Sequence, residues 1–277
     1  LAPPSWLDHG EEAELSPVDI AARLTATAVN ELSRRIVETL REHPVNAKRR
    51  AEGRPTADVV LFRGPAALGK QPTLAQRFGF VRPRALAPTC VIAGLFRTLG
   101  VEMLPNPPGA TGTEHSDLKA KADAVIDAFG WAESRDAAVG VEPPDFMFLH
   151  VKGTDEAGHA RNAPLKVDVL KRVGAMIDRL WDAAPPGCVF AMASDHSTPC
   201  AVGDHTADPV ACCVGVKPSS EGADNVFDHR GFDETSCGRL GRLQSAELMT
   251  LMVNAAAAVR RGEPPPTGHA GDPKSVL

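Results

Sequence analysis

What the chain lacks narrows its chemistry first. No apolar run approaches the ~20 residues that a membrane-spanning helix needs, and no secretory signal pattern is present. There is no long basic run and the formal net charge is −5, which argues against nucleic acid as the main partner. A local cationic site for an anionic substrate stays compatible with that balance. No two of the six cysteines (Cys90, Cys188, Cys200, Cys212, Cys213 and Cys237) form a CxxC pair, and several lie in apolar stretches. They read as reduced, mostly buried thiols of a cytoplasmic protein. Cys200 reads as a packing residue rather than a nucleophile. Tyrosine is absent, and no function follows from that. Internal repeats are absent as well.

What is present suffices for a full core. The 277 residues are 43% apolar and 23% charged, enough for one large domain or two small ones. Ser16-Pro17 suits a helix start, and Ile20, Leu24, Ala28, Leu32, Ile36 and Leu40 form one stripe that His43-Pro44 ends. Residues 58–62 read as a short buried strand, 91–99 as a helix, 101–104 as a strand and 116–129 as a second amphipathic helix. Residues 145–151 form a continuous apolar strand of the kind covered on both faces. Residues 165–181 read as the crossover helix, 188–193 and 210–216 as further strands, and 244–260 as a closing helix. Strands alternating with helices indicate α/β architecture, a doubly wound and mostly parallel sheet flanked by helices.

The chemistry concentrates just past strand ends, where open α/β sheets bind ligands. Asp155 and His159 follow the strand at 145–151. Asp195 and His196 follow the strand at 188–193, and His205 precedes the next one. Carboxylate oxygen and neutral imidazole suit Mn²⁺, Zn²⁺ or Mg²⁺. Two such ions about 4 Å apart can clamp the entering and leaving oxygens of a phosphoryl group. Either pair alone matches a helix-start Asp with a surface His, and the combination points to a mononuclear or dinuclear site. Gly153, Gly158 and Gly203 allow close backbone approach around it. His43, His115, His150 and His229 read as structural or surface histidines. Arg63 and Lys152 are the best-placed cations for an anionic substrate, ahead of Arg239 and Arg242.

These residues resemble the archaeal-type 2,3-bisphosphoglycerate-independent phosphoglycerate mutases of the alkaline phosphatase superfamily. The matching stretches are residues 43–46, 61–65, 108–112, 149–159, 194–200 and 203–210, with Phe232-Asp233-Glu234 and Leu240-Gly241-Arg242 near the end. The resemblance runs from about Ser16 to about Asn254. It implies an incomplete alkaline phosphatase-like core at 52–277, with residues 1–51 as the tail of an inserted substrate-binding domain. It implies two divalent ions, Mn²⁺ first, with Mg²⁺ or Zn²⁺ as alternatives. Asp155, His159 and His205 would hold one ion, and Asp195 and His196 would help hold the other. The implied reaction interconverts 3-phosphoglycerate and 2-phosphoglycerate through a phosphoserine in the cytoplasm, with phosphoglycerate as the only partner named. Neither nucleic acid nor membrane is implied, and oligomeric state is not specified. The family's serine nucleophile and one metal-binding Asp have no counterpart here and are expected upstream of Leu1, so no catalytic residue is assigned within the chain. Ala93 stands where relatives are expected to carry a basic residue. Two alternatives stay open: another phosphatase or phosphotransferase of the same superfamily, and a truncated, non-catalytic metal-binding protein.

Overall fold

The computed structural model describes residues 17–62, 69–131, 142–218 and 241–263. The chain divides into two compact units, Leu1–Lys70 and Gln71–Leu277. The proposed insertion boundary near Ala51 rests on likeness to relatives, a different ground from compactness.

In the first unit, α1 (Pro17–Glu42) carries the expected stripe. It is followed by α2 (Pro44–Ala51), a helix the sequence reading did not foresee. His43 is the hinge between them. Its Nδ1 accepts the Val45 amide at 3.2 Å, and Pro44 occupies the first turn of α2, where a missing N–H costs nothing. Buried Asn46 donates from Nδ2 to the Leu40 and Ala57 carbonyls and accepts the Ala57 amide, so one side chain closes the return of the chain. Residues 58–62 correct an expectation. They adopt no strand, and Val59, Val60, Leu61 and Phe62 are exposed. A strand needs a neighbour for its N–H and C=O groups, and the described residues give this run no ladder. Arg63 lies outside the described residues.

The second unit is built around a parallel sheet. Strand β1 (Pro83–Leu86) lies between β2 (Glu102–Met103) and β3 (Phe146–Leu149), in the order β2-β1-β3. All four β1 residues are buried, as a central strand with both faces covered requires. One face packs Leu86 against Leu118, Ala122, Val125 and Ile126 of α5 (Leu118–Phe129) and Met176 and Leu180 of α7 (Ala163–Ala183). The opposite face packs Ala85 and Phe146 with Leu74 of α3 (Leu74–Phe78), Phe96 of α4 (Cys90–Thr98) and Met249 and Met252 of α8 (Glu247–Arg260). The α/β sandwich with a parallel sheet is therefore as expected.

Strands β4 (Val189–Ala193) and β5 (Cys212–Val216) differ from expectation. They form a separate antiparallel pair among the described residues. The reason lies in the connection. A parallel partner requires a crossover, usually a helix, and the segment from 194 to 211 contains none. It folds back as a long loop, pinned midway by a bridge between Ser197 and Thr206. No helix of the described residues is long and apolar enough to cross a membrane.

Candidate metal centre

Two segments build the site. The first is α6 (Gly153–His159), a short helix that starts four residues past the end of β3. Asp155 and His159 are four apart on it, so both side chains rise from one face. The second is the loop after β4, where Asp195 and His196 leave the strand end and the Ser197–Thr206 bridge returns His205 to the same place. The His196 and His205 ring centroids are 3.7 Å apart, and those of His159 and His205 are 5.0 Å apart.

The closest donors form a triangle. Asp155 Oδ1 lies 3.3 Å from His159 Nε2 and 3.3 Å from His205 Nε2, and the two Nε2 atoms are 3.2 Å apart. Metal–ligand bonds of 2.0–2.1 Å in a tetrahedral shell put neighbouring donors about 3.3–3.4 Å apart. The three atoms thus have the spacing of one face of such a shell. Asp155, His196 and His205 also offer donor atoms that all lie within 4.8 Å of one another. Asp195 Oδ2 is 3.4 Å from His196 Nε2, a second edge of the same length, and its side chain is 78% exposed. The structure gathers Asp155, His159, His196 and His205 and sets the exposed Asp195 beside His196, with no thiolate among them. These residues fit a divalent cation.

Hydrogen bonds orient the ligands. His159 Nδ1 lies 3.1 Å from the Gly203 carbonyl, which can only accept, so Nδ1 carries the proton and Nε2 keeps its lone pair. Asp204 Oδ1 accepts the His205 amide at 2.8 Å. Thr198 Oγ1 donates to Asp155 Oδ1 at 2.7 Å. Burial alone pushes the Asp155 carboxyl up, but hydrogen bonds from Thr198 and Lys152, with the positive charge of Lys152, hold it below the usual carboxylate range. It is an anion at neutral pH, as a ligand must be.

Lys152, expected to face substrate, is engaged within the site. Its Nζ pairs with Glu156 and sits 3.2 Å from Asp155 Oδ2. The Glu156 hydrogen bond, then that of Asp155, holds its pKa above the ordinary lysine value against the opposing effect of burial. Arg242 is exposed, and Arg239 and His229 lie outside the described residues. His115 is exposed beside Glu114. His150 is half-buried with Nδ1 unbonded, and burial lowers its pKa. The sequence reading missed Thr198. Its only signal was a hydroxyl two places after a ligand His.

A buried lysine supports the end of β3. Lys121 on α5 is fully buried and its Nζ donates to the Thr111 carbonyl at 3.1 Å and the His150 carbonyl at 3.2 Å. It has no carboxylate partner among these contacts, and burial lowers its pKa to about 8. Between pH 8 and the ordinary lysine value the unfolded chain binds the proton more readily than the folded one. This group therefore makes folding more favourable as pH rises through that window. Urea titrations of the wild type and Lys121→Met should show the difference in unfolding free energy varying between pH 8 and 10. A pH-independent difference would mean that Lys121 titrates normally in the fold.

Fold and cluster together define an α/β protein with carboxylate and imidazole donors arranged for a divalent cation. The chain belongs to the Metalloenzyme superfamily, whose family model matches residues 91–255, a span that holds all five residues of the cluster. It is 33% identical over 250 residues to the 2,3-bisphosphoglycerate-independent phosphoglycerate mutase of Methanopyrus kandleri, a match covering 88% of this chain and 54% of that protein. The mutase of the same name from Methanoculleus marisnigri is 34% identical over 241 residues, covering 85% of this chain and 53% of that one. Among solved structures, the PH0037 protein from Pyrococcus horikoshii is similar with a TM-score of 0.69 and 27% identity, over 88% of this chain and 59% of that one. The chain spans about half the length of the curated relatives it matches.

Proposed function

We propose that this chain forms the metal-binding part of a 2,3-bisphosphoglycerate-independent phosphoglycerate mutase of the cytoplasm. The observation that supports it most is the Asp155–His159–His205 triangle, with edges of 3.2–3.3 Å, in a chain whose relatives carry that name. Asp155, His159 and His205 would hold one divalent ion, and Asp195 and His196 would contribute to a second. Carboxylate oxygen and imidazole suit Mn²⁺, Mg²⁺ or Zn²⁺, and likeness to the mutases makes Mn²⁺ the first candidate. When bound, such ions supply charge stabilisation for a phosphoryl group in transfer. The chain's own residues do the rest. The Gly203 carbonyl and Thr198 hydroxyl fix ligand orientation. Lys152, at the rim of the cluster, supplies positive charge for a phosphate or carboxylate, and Arg63 is the proposed second cation. Among the described residues, the only hydroxyl hydrogen-bonded to the five ligands is that of Thr198. No serine is assigned as the phosphoryl acceptor within this chain, because none matches the nucleophile motif that the resemblance implies.

The test is a coupled assay of 3-phosphoglycerate to 2-phosphoglycerate on the gene's full-length product with Mn²⁺. Turnover is expected, and His159→Ala is expected to lower it by more than the roughly 10–100-fold cost of losing an outer-shell partner. The 277-residue chain assayed alone is expected to bind Mn²⁺ without mutase turnover. Inorganic phosphate released without 2-phosphoglycerate would replace the mutase reading with a phosphatase. Robust turnover by the chain alone that disappears in Ser197→Ala would place the nucleophile here.

A further inference from the structure

Thr198 is 4% exposed, yet its hydroxyl stands between the two segments of the cluster. Its Oγ1 is 2.7 Å from Asp155 Oδ1 on α6 and 3.2 Å from Nδ1 of His196 in its own loop. A carboxylate only accepts, so the single hydroxyl proton goes to Asp155. The oxygen is then left to accept, and the His196 ring must supply the proton from Nδ1. The result is a one-way chain from His196 Nδ1–H to Thr198 Oγ1–H to Asp155 Oδ1. It leaves Nε2 of His196 as the lone pair, the atom that lies 3.4 Å from Asp195 Oδ2.

The backbone of Thr198 is held too. Lys166 Nζ on α7 donates to its carbonyl at 2.7 Å. On the other side, the absent side chain of Gly158 lets α6 press against Thr198, since a Cβ there would lie 2.9 Å from Thr198 Cγ2. The hydroxyl therefore has little freedom to turn elsewhere.

We propose that Thr198 is a positioning residue that joins the two halves of the cluster and fixes His196 as the Nδ1–H tautomer, with Nε2 directed to the cation. The assignment of Asp155 and His196 as ligands rests on the functional reading above. The tautomer does not, because it is a property of the metal-free chain. Among the described residues, Asp195 is the carboxylate that competes for the ring. Its Oδ2 approaches Nε2 at 3.4 Å, but the carboxylate is largely exposed and solvated.

Long-range ¹H–¹⁵N correlation spectra of the metal-free chain at alkaline pH read the tautomer directly, with His196 assigned by its loss in His196→Gln. The wild type is expected to show protonated Nδ1 and bare Nε2. Thr198→Val should move His196 toward the Nε2–H form that solvated imidazole favours, and Thr198→Ser should restore the wild-type pattern. Thr198→Ala reports the same loss of hydroxyl should the valine variant fail to fold. Calorimetric titration with Mn²⁺ is expected to show about a 10–100-fold weaker site in Thr198→Val and little change in Thr198→Ser. A wild-type His196 that is mainly Nε2–H, or a valine variant with an unchanged pattern, overturns the role of Thr198. A wild-type chain with the expected tautomer and no affinity for Mn²⁺ overturns the metal reading instead.

Discussion

Asp155→Asn is expected to lower the affinity of the chain for Mn²⁺ by more than about 100-fold, beyond what removal of an outer partner costs. The substitution keeps the shape and removes the charge. Asp155 Oδ1 is the one carboxylate oxygen found within 3.3 Å of both His159 Nε2 and His205 Nε2 among the described residues. An amide in its place offers a weaker oxygen or an N–H that repels a cation. The loss also spreads outward, because Thr198 and Lys152 both direct hydrogen at this carboxylate. Glu156→Gln is the control. Glu156 is the next residue in sequence, but among the described residues its carboxylate pairs with Lys152 and forms no ion pair with either histidine. It should change affinity by only a few-fold. Calorimetry on the two variants separates the cases, and equal losses would mean that Mn²⁺ responds to overall negative charge and not to a built site.

The second large effect is expected from Gly158→Ala. The new Cβ would sit well inside van der Waals contact of the Thr198 carbonyl oxygen and 2.9 Å from its Cγ2. The carbonyl cannot turn away without losing Lys166, which donates to it at 2.7 Å. Overpacking of this kind costs about 1–3 kcal/mol and occasionally more, and backbone on one side favours the upper end. For a domain of this size about 3 kcal/mol corresponds to a Tm lower by roughly 6–12 °C. Relief by sliding α6 outward would instead spread the Asp155–His205 pair, so the variant that keeps its Tm should lose Mn²⁺ affinity. Scanning calorimetry and titration of one preparation cover both routes. A variant unchanged in both would show that α6 and the loop are not in contact in solution.

Much of the site was legible because its logic is local. The Asp155-x-x-x-His159 spacing is a statement about one helix face, and α6 supplies that face. Asp195 and His196 could be placed at a strand end from the apolar run before them, and β4 ends at Ala193. The close approaches suggested by Gly158 and Gly203 are also real. A Cβ at Gly203, whose φ is +71°, would collide with the Arg161 side chain. What escaped was non-local. An apolar run does not state its partner's direction, so the β4–β5 pair looked like two more parallel strands until the helix-free loop between them was seen to double back. Residues 58–62 have strand composition and no ladder among the described residues. Thr198 carries no spacing signal, since its role depends on an oxygen from a helix 43 positions earlier. Lys121 carries no signal of its own in the sequence of its helix, and only burial shows it reaching two carbonyls.

The register of β1 with β3 has a consequence for how this chain is made. Pro83 pairs with Phe146, 63 positions later, and the alignment continues to Leu86 with Leu149. Translation proceeds at about 5–20 residues per second, so β1 emerges roughly 3–13 s before the strand that flanks it. Once β2 has been made, and until β3 is, the central strand Pro83-Arg84-Ala85-Leu86 has only that two-residue strand for company. One edge of β1 is thus unpaired during synthesis of the α5 region, and slowing translation there should raise the demand for chaperones more than slowing it anywhere after β3.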